Sequence, residues 1–182
     1  GGGATEQCLK DKRQELSTQC KLEVFRREVE ESEDVRFDGF LAEKCGTDKE
    51  AFCADVKPGK GRVIRCLESH ASDAKFSAEC RAILDRRGVR RAADLRLDYV
   101  LRKACSGTVK KLCGDAVKAA KAKVSASGGV LECLKSQLAD EKIEDETCKA
   151  EVQRTMVAAA KDIRQDTSLT LACRDELVKH CK

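Results

Sequence analysis

The sequence predicts an all-α fold, a tandem array of three small helical modules stapled by disulfides. Three observations predict it. The 12 cysteines repeat in a fixed pattern. Apolar residues recur at three- and four-residue steps, the signature of an amphipathic helix. An Asp-apolar-Arg-x-Asp box stands at one place in every module.

The cysteines fall at 8, 20, 45 and 53, then 66, 80, 105 and 113, then 133, 148, 173 and 181. In each group the second and third differ by 25 and the third and fourth by 8, while the first gap is 12, 14 or 15. The repeat is therefore C-x(11–14)-C-x24-C-x7-C, and it places modules at 1–57, 62–114 and 129–182. Self-similarity at such a period is the mark of a repeat architecture. Charged residues make up 37% of the chain and aromatics 3%, with no Trp, so one large core is poorly supplied. Small modules without big apolar side chains need covalent staples.

Each module reads as a short helix A around the first cysteine, a helix B beginning near the second, and a helix C carrying the third and fourth. Val63-Ile64-Arg65-Cys66-Leu67 and Val130-Leu131-Glu132-Cys133-Leu134 open modules two and three. Cys148, Val152, Thr155, Met156 and Ala159 give helix B its stripe; Leu97, Leu101, Ala104, Cys105, Val109 and Leu112 do so for helix C. Ala, Lys, Glu, Arg and Leu, all good helix formers, dominate. The box is Asp34-Val35-Arg36-Phe37-Asp38, Asp94-Leu95-Arg96-Leu97-Asp98 and Asp162-Ile163-Arg164-Gln165-Asp166. It marks the B–C corner, where the second Asp is suited to cap helix C and the Arg to pair with a carboxylate.

A hairpin turning at Ala92–Ala93 sets Cys80 and Cys105 at one height, each about twelve residues from the corner. The expected bonds are Cys20–Cys45, Cys80–Cys105 and Cys148–Cys173. Along a continuous helix C the third and fourth cysteines stand roughly 12 Å apart, too far to bond. The remaining first and fourth cysteines then pair as Cys8–Cys53, Cys66–Cys113 and Cys133–Cys181. A bond from the fourth cysteine of one module to the first of the next is the alternative, and it strands Cys8 and Cys181.

Structural disulfides point to the secretory pathway or the extracellular space. Zinc sites favour close C-x2-C pairs, and none occurs; nor does a redox C-x-x-C. Catalysis finds no support. His70, in Glu68-Ser69-His70-Ala71-Ser72-Asp73, belongs to a helix end, and His180 lies in the last turn of helix C, where a cation is favourable. Gly59-Lys60-Gly61 and Gly128-Gly129 fall in linkers rather than in a phosphate loop. The chain is thus expected to be no enzyme and to hold neither cofactor nor metal. No apolar run approaches 18 residues, so no membrane span is expected in this segment. No signal peptide is visible, and the chain has no Asn and hence no N-glycosylation sequon.

Charge is uneven: net −3 over residues 1–60, +9 over 61–127 and −2 over 128–182. The densest stretch, Arg81, Arg86, Arg87, Arg90 and Arg91 on helix B, is the candidate anion-binding site, with Lys118, Lys121 and Lys123 following in the linker. Its partner is expected to be a sulfated glycan or an acidic protein. Nucleic acid is not expected, because stacking aromatics are lacking.

The module, with its V-x-x-C-L opening, D-x-R-x-D box and C-x7-C, resembles the cysteine-rich repeat of the Golgi apparatus protein 1 family, also called the cysteine-rich fibroblast growth factor receptor or E-selectin ligand. The resemblance covers nearly the whole chain in three repeats. It implies a lumenal or cell-surface array that holds a growth factor, glycan or cargo protein, and the chain is expected to be a fragment of a longer array. Module three departs at Gln165-Asp166-Thr167-Ser168, where module two has Leu97-Asp98-Tyr99-Val100. The other functional expectation is a structural spacer among the subunits of an extracellular or ciliary assembly.

Overall fold

A computed structural model describes residues 2–122 and 128–181. Among them the helices are α1 (Gly2–Asp11), α2 (Thr18–Glu33), α3 (Gly39–Lys44), α4 (Gly46–Phe52), α5 (Arg62–His70), α6 (Ala78–Ala93), α7 (Tyr99–Ala104), α8 (Ser106–Leu112), α9 (Gly114–Ala122), α10 (Gly128–Ala139), α11 (Glu146–Lys161), α12 (Thr167–Ala172) and α13 (Arg174–His180). The described residues contain no strand, so the all-α expectation holds. None of their helices is long and apolar enough to cross a membrane. The chain forms two compact units, Gly1–Arg86 and Arg87–Lys182, whose boundary falls within α6.

Every helix B starts the same way. Ser17, Ser77 and Asp145, three residues before the second cysteine, accept a hydrogen bond from the Cys20, Cys80 and Cys148 N–H at 3.4, 3.2 and 2.9 Å. Every helix B also ends the same way, in the Asp box. Its first Asp caps a 3₁₀ turn by accepting the N–H two residues on: Arg36 at 3.0 Å, Arg96 at 2.9 Å and Arg164 at 3.0 Å. Its second Asp accepts the Leu41, Leu101 and Leu169 N–H at 2.9, 3.1 and 3.0 Å, which caps the next helix as the sequence predicts.

Three expectations are corrected. Helix C is not continuous. It bends at the third cysteine, whose φ/ψ values of −104°/9°, −93°/7° and −104°/23° at Cys45, Cys105 and Cys173 lie in the bridge region rather than the helical one. The segment after Cys113 is also no open linker, because Lys118 and Lys121 lie on α9. Lys123 lies outside the described residues.

The third correction is the disulfide pairing. The bonds are Cys45–Cys80 and Cys53–Cys66 in the first unit, and Cys105–Cys148 and Cys113–Cys133 in the second. The third cysteine of each module joins the second of the next, and the fourth joins the first. None of the six pairs expected within modules forms, and Cys8, Cys20, Cys173 and Cys181 are free. The nested order expected of a helical hairpin does occur, but the hairpin turns between modules.

Packing explains the shift. After the corner, α7 lies against α11 of the next module, and α8 lies against α10. One core accordingly holds Leu41, Cys45 and Cys53 with Val63, Leu67, Cys80 and Leu84. The other holds Leu101, Cys105 and Cys113 with Val130, Leu134, Cys148 and Val152. Each core combines the closing helices of one module with the opening helices of the following one. Bonds at these sites join cysteines that the packing sets side by side, with Cα–Cα distances of 4.8–6.0 Å. Between α4 and α5 the chain reverses through Gly59 and Gly61, whose φ values of 89° and 69° glycine adopts freely.

Candidate functional site

The repeated polar residues serve the corners. Arg36, Arg96 and Arg164 fold back on Asp34, Asp94 and Asp162 with Nη2–Oδ2 distances of 2.7, 2.7 and 2.8 Å. The guanidinium beside it holds the Asp34 carboxyl, and likewise that of Asp162, below the usual carboxylate range. Their second acids differ in surroundings. Asp98 is 4% exposed, and its Oδ2 receives Arg154 Nη2 at 2.5 Å. Sequence reading missed this pair, although an Arg stands six residues after the second cysteine in each module, as Arg26, Arg86 and Arg154.

Not all of the candidate anion-binding arginines are presented to solvent. Arg81 Nε donates to the Ala71 carbonyl at 2.6 Å, and its Nη2 donates to the Asp73 and Phe76 carbonyls at 3.0 and 3.3 Å, closing the turn after α5. Arg87 is buried. Arg86 is exposed, and Arg90 and Arg91 are half-buried. All five share the α6 segment, in accord with the expected helix B.

Cys53, Cys66 and His70 bring three metal-capable atoms within 4.8 Å of one another. The two sulfurs are bonded to each other and so offer no thiolate. His70 Nδ1 lies 2.9 Å from the Cys66 carbonyl, and its ring stacks at 5.3 Å on Phe52, a structural setting. His180 sits at the end of α13, as the sequence predicts.

A buried ionic cluster was not legible in the sequence. Lys10 Nζ donates to both Glu31 oxygens at 2.8 and 2.7 Å, and both residues are at most 5% exposed. Burial pushes the Glu31 carboxyl up to about 8, helped by its hydrogen bond with Glu6 and the charge of Asp38 and opposed by Lys10. Glu6 is held low in turn, first by that same hydrogen bond.

An open groove of about 820 Å³ lies on the last module, lined by Met156, Ala159, Ile163, Asp166 and Leu169 among others. It offers apolar contact rather than converging catalytic groups.

Comparison with known proteins accords with this architecture. The chain is 30% identical to Golgi apparatus protein 1 of Mus musculus and of Homo sapiens, over 183 aligned positions that cover 100% of the chain and 15% of each relative. A homolog from Caenorhabditis elegans is 29% identical over 97% of the chain and 16% of its own length. The chain thus spans about 15% of the length of the curated relatives it matches. No solved structure matches it. The cysteine-rich repeat model matches residues 18–75, 78–142 and 146–182, and with these three matches the chain belongs to the cysteine-rich repeat family.

Proposed function

We propose that the chain is a non-enzymatic repeat segment of a secretory-pathway protein, in the Golgi lumen or at the cell surface, that holds a protein or anionic glycan partner on its helical faces. The sequence repeats at 1–57, 62–114 and 129–182 are its units of variation. One observation carries the reading: the Asp-apolar-Arg-x-Asp boxes common to all three modules serve caps and corners, whereas the net charge differs from module to module. That charge is concentrated at +9 in residues 61–127. Arg86, Arg90 and Arg91 are its candidate contacts. The relatives' name, Golgi apparatus protein 1, supports the compartment. So do the four disulfides.

The test is binding to immobilised heparin across a salt series. Exposed charges are screened beyond about 8 Å at physiological ionic strength, so binding should weaken steeply with salt. The triple variant Arg86→Ser, Arg90→Ser, Arg91→Ser should lose at least tenfold, with urea unfolding run alongside to detect any loss of fold. Undiminished binding by a folded variant refutes the anion site.

A structural spacer is the second reading, favoured by a specific observation. Cys45–Cys80 and Cys105–Cys148 join one matched repeat to the next, and Arg81 and Arg87 serve the fold rather than the surface. The spacer reading gains if heparin binding is absent in the parent.

A further inference from the structure

Burial divides the disulfides into two kinds. Cys45–Cys80 and Cys105–Cys148 have both partners at most 1% exposed. Cys53–Cys66 and Cys113–Cys133 each join a buried cysteine, Cys53 or Cys113, to a half-buried one, Cys66 or Cys133. Thiol–disulfide exchange depends on access to a sulfur, so a reductant reaches these inner bonds first. Cys45–Cys80 encloses Cys53–Cys66 in the sequence and keeps its junction closed when the inner bond opens.

The two inner bonds differ in one neighbour. Four residues beyond Cys66, on the same face of α5, stands His70, whereas Gln137 stands four beyond Cys133 on α10. A ring nitrogen of His70 and the sulfurs of Cys53 and Cys66 lie within 4.8 Å of one another. His70 Nδ1 is 3.9 Å from Cys66 Sγ. Zinc, with Zn–S of about 2.3 Å and Zn–N of about 2.0 Å, sets tetrahedral ligand atoms roughly 3.5–3.8 Å apart. The imidazole already stands near that distance, and only the two sulfurs have to part. The Phe52 ring, centred 5.3 Å away, packs against the imidazole.

We propose that Cys53, Cys66 and His70 form a zinc site that the disulfide keeps latent and reduction opens. A glutathione thiolate attacks the half-buried Cys66 sulfur and expels the Cys53 thiolate. A second glutathione thiolate attacks the glutathione sulfur of this mixed disulfide and releases the Cys66 thiolate. One protein disulfide and two glutathiones thus become two protein thiols and one glutathione disulfide. Zinc then displaces the two thiol protons. Nδ1, which lies 2.9 Å from the Cys66 carbonyl in the disulfide form, turns its lone pair to the metal, with the ring proton on Nε2. Water takes the fourth position, as in other sites with three protein ligands. The site stands independently of glycan binding.

The test uses the full-length chain with its free thiols, Cys8, Cys20, Cys173 and Cys181, first blocked by iodoacetamide. A trialkylphosphine reduces it stepwise without air, and Co²⁺ is added as the probe. The expected result is one Co²⁺ per chain, with the visible bands of a tetrahedral thiolate site that zinc bleaches, in a species whose Cys45–Cys80 bond is intact by peptide mapping. Bound metal should protect Cys53 and Cys66 from alkylation and leave Cys113 and Cys133 reactive. His70→Gln installs the residue that the second unit carries at this position, and circular dichroism of the oxidised variant should match the parent. It should weaken Co²⁺ binding at least ~100-fold, beyond the cost of losing a supporting group. No binding by the reduced parent overturns the proposal. So do equal binding by His70→Gln, equal protection of the two inner pairs, and opening of Cys45–Cys80 before Cys53–Cys66.

Discussion

Replacing both Cys105 and Cys148 by Ala should remove one staple and expose no new thiol. The bond closes a loop of 43 residues, within which Cys113–Cys133 already closes 20. The chain-entropy model gives about 4 kcal/mol for the full loop and nearer ~3.4 kcal/mol for the part not already closed, so the second unit should lose about 3–4 kcal/mol. The first unit keeps both its bonds and should be unchanged. Replacing Cys80 and Cys105 instead breaks one bond in each unit. Both units should weaken by about that amount, and thiols should appear at Cys45 and Cys148. Urea unfolding resolved by hydrogen exchange reads the two units, and alkylation with peptide mapping reads the thiols. Pairing within modules predicts the reverse: the Cys80/Cys105 variant would expose nothing, and the Cys105/Cys148 variant would expose Cys80 and Cys173. That pattern would refute the account of the junctions.

Three further outcomes are expected. Asp98→Ala deletes a buried cap and the Arg154 pair and should cost the second unit about 2–3 kcal/mol, whereas Asp166→Ala, at the half-buried counterpart, should cost about 1 kcal/mol; chemical denaturation compares them. Glu31 has a folded pKa raised from 4.5 to about 8, so its contribution is full below about 4.5 and is lost as pH rises toward 8. Stability of the first unit should therefore fall across that window, by at most about 1.4 kcal/mol per pH unit, and Glu31→Gln should flatten the profile. Arg96→Ala should cost only about 0.5–1 kcal/mol in denaturation, since its side chain is 49% exposed and screened.

Much of this fold is legible in the sequence because it is local. The D-x-R-x-D box announces its corner, and each of its acids caps the helical turn just after it. The phase of the packing is not legible. The constant gap of 25 between second and third cysteines suggests a bridge, but it reflects the fixed corner geometry that the box imposes. The bridges instead span the variable stretches, with separations of 13 and 20 for the inner pairs. Leu101 fits a helical stripe whether its partner lies before it in the chain or after it, so periodicity alone cannot say that α7 meets α11. The bend at Cys105 has no special residue to mark it. Lys10 and Glu31 are 21 residues apart on different helices, and charges at that distance read as solvated until the fold buries them. The arginines of α6 were the converse case: a basic run that looks like one surface is partly turned to carbonyls and partly buried.

Staples that link successive repeats also decide how the chain bears tension. A pull transmitted along the backbone reaches Cys45 and crosses at once to Cys80, a Cα–Cα step of 5.0 Å. The 35-residue stretch between them could otherwise lengthen to roughly 115–125 Å when fully extended. The same shunt at Cys105–Cys148 shields 43 residues. Under load, α4, α5, α8, α9 and α10 lie off the line of force, and what yields between the two staples is the helix B stretch, the corner and the short α7. Reduction of the outer bond alone would pass the load to the inner one, so each junction would lengthen in two steps.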